Sequence, residues 1–375
     1  MNSLTSEHVI RAYLDVSSLL ELSKSQLSQL IIVMRQQKIL ARVAHSLVEQ
    51  DLIDTIEPRA QRHFRNALLM SNKQQLQVWE EAELLVSQLD GVSPFLIFLK
   101  GAAYSLSAKL TTNKVAAGRI YSDIDVLVDR ESLKLCEQTL AIKGWLAQEV
   151  TDYDDKYYRK WAHEIPPMSH GKRGTIIDIH HNIVPLISKV APNVNKLLNH
   201  AVNLGDGIWV LSPAAQFVHS AIHLFRNEEF DSAFRDLTDL HIMLKAGGAE
   251  FEQAIIEVAE EIGFSKEAAL AFHFVAELDS SAVNANGAAS AFIKANPISS
   301  VDKYIFSRVL FPQHPFLEAS QTPFRGFLAL LRGHLQKMPL HILTYHLFVK
   351  LCRWLAESVA GKHIFTPLDE NQKRF

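Results

Sequence analysis

The sequence predicts an α+β fold, a mixed sheet set between helical regions on both flanks. Three observations predict it. Residues 4 to 89 carry leucines at helical spacing with little glycine, short apolar runs bounded by turn residues follow from Phe95 to Ile183, and helical spacing returns beyond Pro192. At 375 residues, 48% apolar and 21% charged, the chain is globular in composition and too long for one ordinary core.

The N-terminal helices are read from stripes such as Leu27, Leu30, Ile31 and Met34, which fall on one helical face. The turn cluster Asp90-Gly91-Val92-Ser93-Pro94 ends them and leads into Phe95 to Leu99, an apolar run short enough for a buried strand. A helix from Ala102 to Leu110 and a polar segment from Thr111 to Gly118 come next, then a second buried strand from Asp123 to Val128. Ser132 to Lys143 reads as a helix closed by Gly144. The aromatic alternation from Tyr153 to Ile165 predicts a strand. Gly171-Lys172-Arg173-Gly174 predicts a turn and Thr175 to Ile183 a β-branched strand, giving a mixed sheet of four or five strands between 93 and 185. Ser212-Pro213 is an N-cap with proline at the first helical position, opening a helix through Leu224; further helices are read at 232 to 245, 250 to 261 and 266 to 278. The expected organisation is a helical region over 1–92, a sheet-bearing domain over 93–190, a helical domain over 191–300 and a basic helical segment over 301–375.

Composition narrows the function. Lys and Arg total 38 against 41 acids, a net charge of −3, so no chain-wide positive field exists to hold a nucleic-acid backbone. The last 75 residues depart from this, with ten Lys or Arg against five acids, and leave room for gripping a short RNA end. Cys136 and Cys352 lack CxxC spacing, which excludes a disulfide framework and a thiolate zinc site. No charge-free run of 18 apolar residues occurs, so a cytoplasmic protein without a transmembrane segment is expected. The stretch Leu340 to Val359 mixes His and Lys with Phe348 and Trp354, so its reading is helix packing, with peripheral membrane contact as the alternative.

The chemistry-bearing pattern is Ser122-Asp123-Ile124-Asp125. Strand alternation sends Asp123 and Asp125 to one face and Ile124 and Val126 to the other. Two carboxylates so close raise each other's pKa unless cations neutralise them, and Mg²⁺ or Mn²⁺ suits hard oxygen ligands while leaving positions for phosphates. Asp178, in Ile176-Ile177-Asp178-Ile179-His180, is a third acid that an adjacent strand would bring to the same place. Three such acids can hold two metals roughly 4 Å apart for an in-line phosphoryl displacement. Lys100-Gly101, a strand end before a helix, would let the backbone approach a phosphate, and Arg119 and Ser122 would add phosphate contacts.

The order Leu99-Lys100-Gly101-Ala102-Ala103, then Arg119-Ile120-Tyr121-Ser122-Asp123-Ile124-Asp125-Val126-Leu127-Val128, then Ile177-Asp178-Ile179-His180 resembles the uncharacterised nucleotidyltransferase family of the polymerase-beta-like superfamily. The resemblance spans about residues 20 to 245. It implies a polymerase-beta-like mixed sheet with helical flanks, an NTP at Lys100, Gly101, Ala102, Arg119 and Ser122, and metals on Asp123, Asp125 and Asp178. It further implies that Asp239, on a later helix, organises the site. Ala102 stands where the superfamily usually has serine or glycine, and so offers no hydroxyl.

The function expected is transfer of a nucleoside monophosphate from an NTP such as ATP to a hydroxyl or phosphate of a small-molecule or protein acceptor, with release of pyrophosphate. The alternative is a catalytically silent nucleotide- or partner-binding module of the same fold. His180 shares the face of Asp178 and is a candidate substrate contact. His219 and His223, four apart on a helix, read as packing residues, and Arg235 and Asp236 as a surface pair. His163-Glu164 is no zincin motif, because Pro166 and Pro167 break the helix.

Overall fold

The computed structural model describes residues 3–108, 114–190, 192–318 and 323–360. The end of the expected helix at Leu110, the start of the polar segment at Thr111 and the tail from residue 361 lie outside the described residues. Seven strands form one mixed sheet: β1 (Leu96–Phe98), β2 (Ile124–Val128), β3 (Trp145–Ala147), β4 (Met168–His170), β5 (Ile176–His180), β6 (Ala201–Asn203) and β7 (Trp209–Leu211). Their order is β3-β4-β5-β2-β1-β7-β6. Five of them lie between residues 93 and 185, but the sheet runs on past residue 190, where β7 pairs parallel to β1 and β6 adds the edge. Three-residue strands such as these lack the length that makes alternation readable.

The sheet sits between two apolar layers. Ile124, Val126 and Val128 face one cluster with Phe98, Ile177, Ile179 and residues of the helices Pro58–Leu89 and Leu133–Ile142. Leu127 and Ile97 face the other, which joins helices from residues 4 to 64 with those from 213 to 310. Helices from both flanks therefore close over the side to which Asp125 belongs by alternation, while the later turns of Pro58–Leu89 cover the other side.

One expected strand is a helix. Tyr153 to Ile165 forms the helix Asp152–Trp161, and only the segment after it is extended. Thr151 caps it, with Asp152, Asp154 and Asp155 in the first turn and Arg159 and Lys160 in the last, charges that suit a helix dipole at each end. Those signals outweigh the aromatic alternation. The two helices expected after residue 232 join as Ala233–Ile262, bent at Gly248 with φ 66°. Among the described residues no helix is long and apolar enough to cross a membrane.

Candidate active site

β2 and β5 pair in parallel with Asp125 directly opposite Asp178. This register places two carboxylates on neighbouring strands, and Asp123 stands just before β2. The backbone N–H of Leu99 donates to the carbonyl of Asp125 at 2.9 Å, which fixes the start of the next helix beside the acid. Lys100 there adopts φ 45°, and its Nζ donates to Asp125 Oδ1 at 2.7 Å. His180 Nε2 meets the same oxygen at 2.9 Å.

The three aspartates are thereby unequal. Burial alone would raise Asp125, but Lys100 and His180 hold it well below the usual carboxylate range. Burial likewise works against the Lys100 ammonium, and Asp125 holds it above its ordinary value. Burial and then Asp125 push Asp178 up to about 7 and also raise Asp123. Ser122 donates to Asp123 at 3.1 Å, whereas Asp178 Oδ1 is buried with no hydrogen-bond partner among the described residues. The orphaned oxygen belongs to one of the two lifted carboxyls, a local deficit of positive charge, and carboxylate oxygens are the donor type that a hard divalent cation takes.

Arg119 is held from behind. Its Nε donates to Asp239 Oδ2 at 3.0 Å and its guanidinium lies over the rings of Tyr104 and Tyr121, at 5.4 and 5.3 Å. Asp239 also accepts from Arg42 at 2.7 Å, so one buried carboxylate orients two buried guanidiniums. Gly101 is needed for a reason other than phosphate access. A Cβ there would overlap Arg119 Nη1 and lie 3.0 Å from Cζ.

Lys100, Gly101, Arg119, Ser122, Asp123 and Asp125 line a cleft of about 250 Å³, and Asp178 is not among its lining residues. Its opposite wall comes from His223, Asn227, Arg235 and Asp236. Arg235 and Asp236, read as a surface pair from sequence, are thus part of the cleft, and His223 lines it while His219 is buried as expected of a packing residue. Ala102 is different: its side chain is buried in the apolar cluster beneath the sheet and does not line the cleft, because helical rotation turns it away from Lys100 and Gly101.

His163 and Glu164 form no zincin motif, yet the fold brings them beside His180. Ile165 N–H donates to the Ile179 carbonyl at 3.1 Å and His181 N–H to that of His163 at 2.8 Å, so the segment pairs antiparallel to the end of β5. Glu164 Oε2 then lies 3.3 Å from His180 Nδ1. Donor atoms of His163, Glu164 and His180 all lie within 4.8 Å of one another, a condition the three aspartates do not meet. No local spacing signals this group, which only the pairing with β5 assembles.

A family model described as an uncharacterised nucleotidyltransferase matches residues 23–279. The chain belongs to that uncharacterised nucleotidyltransferase family. No curated protein and no solved structure matches it. The matched stretch contains the whole sheet, the three aspartates and Asp239, while the helices Ser300–Val309, Pro323–Lys337 and Leu340–Ala360 lie beyond it.

Proposed function

We propose that this nucleotidyltransferase, acting in the cytoplasm, moves a nucleoside monophosphate from an NTP to a hydroxyl or phosphate acceptor on a small molecule or protein. One observation carries the reading: Asp125 and Asp178 face each other across parallel strands, Asp178 Oδ1 has no partner among the described residues, and Asp125 lines a cleft with Lys100 and Arg119. Asp123, Asp125 and Asp178 would hold Mg²⁺ or Mn²⁺, as a pair of ions. Bound there, the metal supplies Lewis-acid stabilisation of charge on the phosphoryl oxygens.

The chain's own residues divide the remaining tasks. Arg119 and Ser122 bind triphosphate oxygens, with Arg119 aimed by Asp239 and by the two tyrosines. Lys100 and His180 keep Asp125 ionised. Asp178, directly opposite Asp125 in the strand register, accepts the acceptor's proton. The acceptor oxygen bonds to the α-phosphorus, the bond from that phosphorus to the bridging oxygen breaks, and pyrophosphate leaves with the electron pair.

The test is release of pyrophosphate from α-labelled NTPs in the presence of a cell extract and Mg²⁺. Transfer of label to an acceptor, lost in Asp123→Ala and Asp125→Ala, is the expected result. Nucleotide binding without release would replace the proposal with the silent binding module.

A further inference from the structure

The cleft beside the aspartates adjoins a second cavity of about 110 Å³, and Lys100, His223 and Asn227 line both. On the near side stand Lys100, whose Nζ contacts Asp125, and Glu164, whose carboxylate faces His180. At the far side, away from the first cleft's lining, we place Arg226, from the helix Pro213–Arg226, and Lys337, from the helix Pro323–Lys337, which line this second cavity alone.

Both far-side cations keep unused donors. Arg226 donates its Nε to Glu267 at 2.7 Å with its guanidinium over Phe264, and Lys337 approaches Glu228 only to 3.5 Å. A guanidinium has five N–H donors and an ammonium three. His163 adds an Nδ1 without a hydrogen-bond partner among the described residues. Lys100, Arg226 and Lys337 each already meet one acid, Asp125, Glu267 and Glu228, so what the lining offers an anion is their remaining N–H donors. The volume suits a phosphate or carboxylate with a few attached carbons, roughly the space of several waters.

We propose that this cavity is the acceptor subsite and takes a small hydroxyl compound bearing a phosphate or carboxylate group. The hydroxyl lies toward Lys100 and Glu164, and the anionic group lies between Arg226 and Lys337. This rests on the nucleotidyl-transfer reading above. Lys337 stands outside the stretch matched by the family model, so the C-terminal helices supply a contact that selects the acceptor.

The test is isothermal titration of the full chain with inorganic phosphate, and separately with acetate, while a non-hydrolysable ATP analogue saturates the neighbouring cleft. At least one anion binds the wild type, Lys337→Ala weakens it about tenfold, as for loss of one charge-assisted hydrogen bond, and Lys337→Arg stays within twofold. The analogue's affinity stays within twofold in both variants. Binding of neither anion, or anion binding indifferent to Lys337→Ala, overturns the proposal. Displacement of the anion by the analogue also overturns it, because the anion then occupies the nucleotide cleft. Should the analogue fail to bind while phosphate still depends on Lys337, the nucleotidyl-transfer reading and the acceptor assignment fall together, and only an anion site stands.

Discussion

Replacing Gly101 by alanine sets two opposite effects against each other at one position. Alanine is favoured over glycine by about 1 kcal/mol in a helix interior, an upper bound for Gly101 in the first turn of Lys100–Ser107, and Gly101 has no left-handed φ that would forbid a side chain. The new Cβ, however, would overlap Arg119 Nη1 and crowd Cζ at 3.0 Å and Tyr121 Cδ1 at 3.2 Å. The end of an arginine can usually swing aside. Here it is bonded to Asp239 at 3.0 Å and lies between two aromatic rings, so moving it breaks a buried charged pair. Overpacking costs about 1–3 kcal/mol and loss of a charged hydrogen bond about 1.5–3 kcal/mol. Set against the helix gain, Gly101→Ala should destabilise by about 1.5–5 kcal/mol and weaken nucleotide binding about tenfold. Urea denaturation and titration with a fluorescent ATP analogue measure the two effects. In the double variant with Asp239→Asn, where Arg119 is released, the alanine should cost less than it does alone. A Gly101→Ala protein as stable as the wild type or more so, with unchanged nucleotide affinity, would refute the argument that Arg119 is pinned.

Further outcomes follow from the same geometry. Asp239→Asn leaves Arg42 and Arg119 buried without their carboxylate and should cost about 3–5 kcal/mol in chemical denaturation. His219 is lowered to about 3 by burial and then by Lys100, so the unfolded chain binds the extra proton first as pH falls. Its contribution is full above the unfolded value of about 6.5 and is lost toward 3, at up to about 1.4 kcal/mol per pH unit; His219→Gln should flatten the acid limb of a stability–pH curve by that amount. A limb of unchanged slope would contradict a buried neutral imidazole. Mg²⁺ should raise the thermal midpoint of the wild type, because a ligand of the folded state stabilises it, and Asp178→Asn should lose most of that rise. An equal rise in the variant would remove Asp178 from the metal site.

The helical flanks, β2, β5 and the capped helix at Ser212 were legible because each carries a local cause, a stripe, an apolar run or a cap. Tyr153 to Ile165 misled because aromatic alternation and helix-end charges coexist there, and the capped helix with its complementary end charges prevailed. The strands β3, β4, β6 and β7 are three residues each, too short to show alternation, and the β6–β7 hairpin joins the sheet only through β1, far earlier in the chain. Among site residues, Asp123, Asp125, Lys100 and Arg119 could be named because they cluster around one turn and one strand. His163, Glu164, His223, Arg226 and Lys337 could not, since nothing near them in the chain announces a cavity.

The amino-acid order alone determined which carboxylates are present and which face of a strand they occupy, because alternation is a property of the backbone. Tertiary structure alone decided their protonation: Asp125 is held ionised while Asp178 rises to about 7. That difference comes from Lys100 and His180 reaching one oxygen and not the other, a matter of distance through space that chain position does not encode.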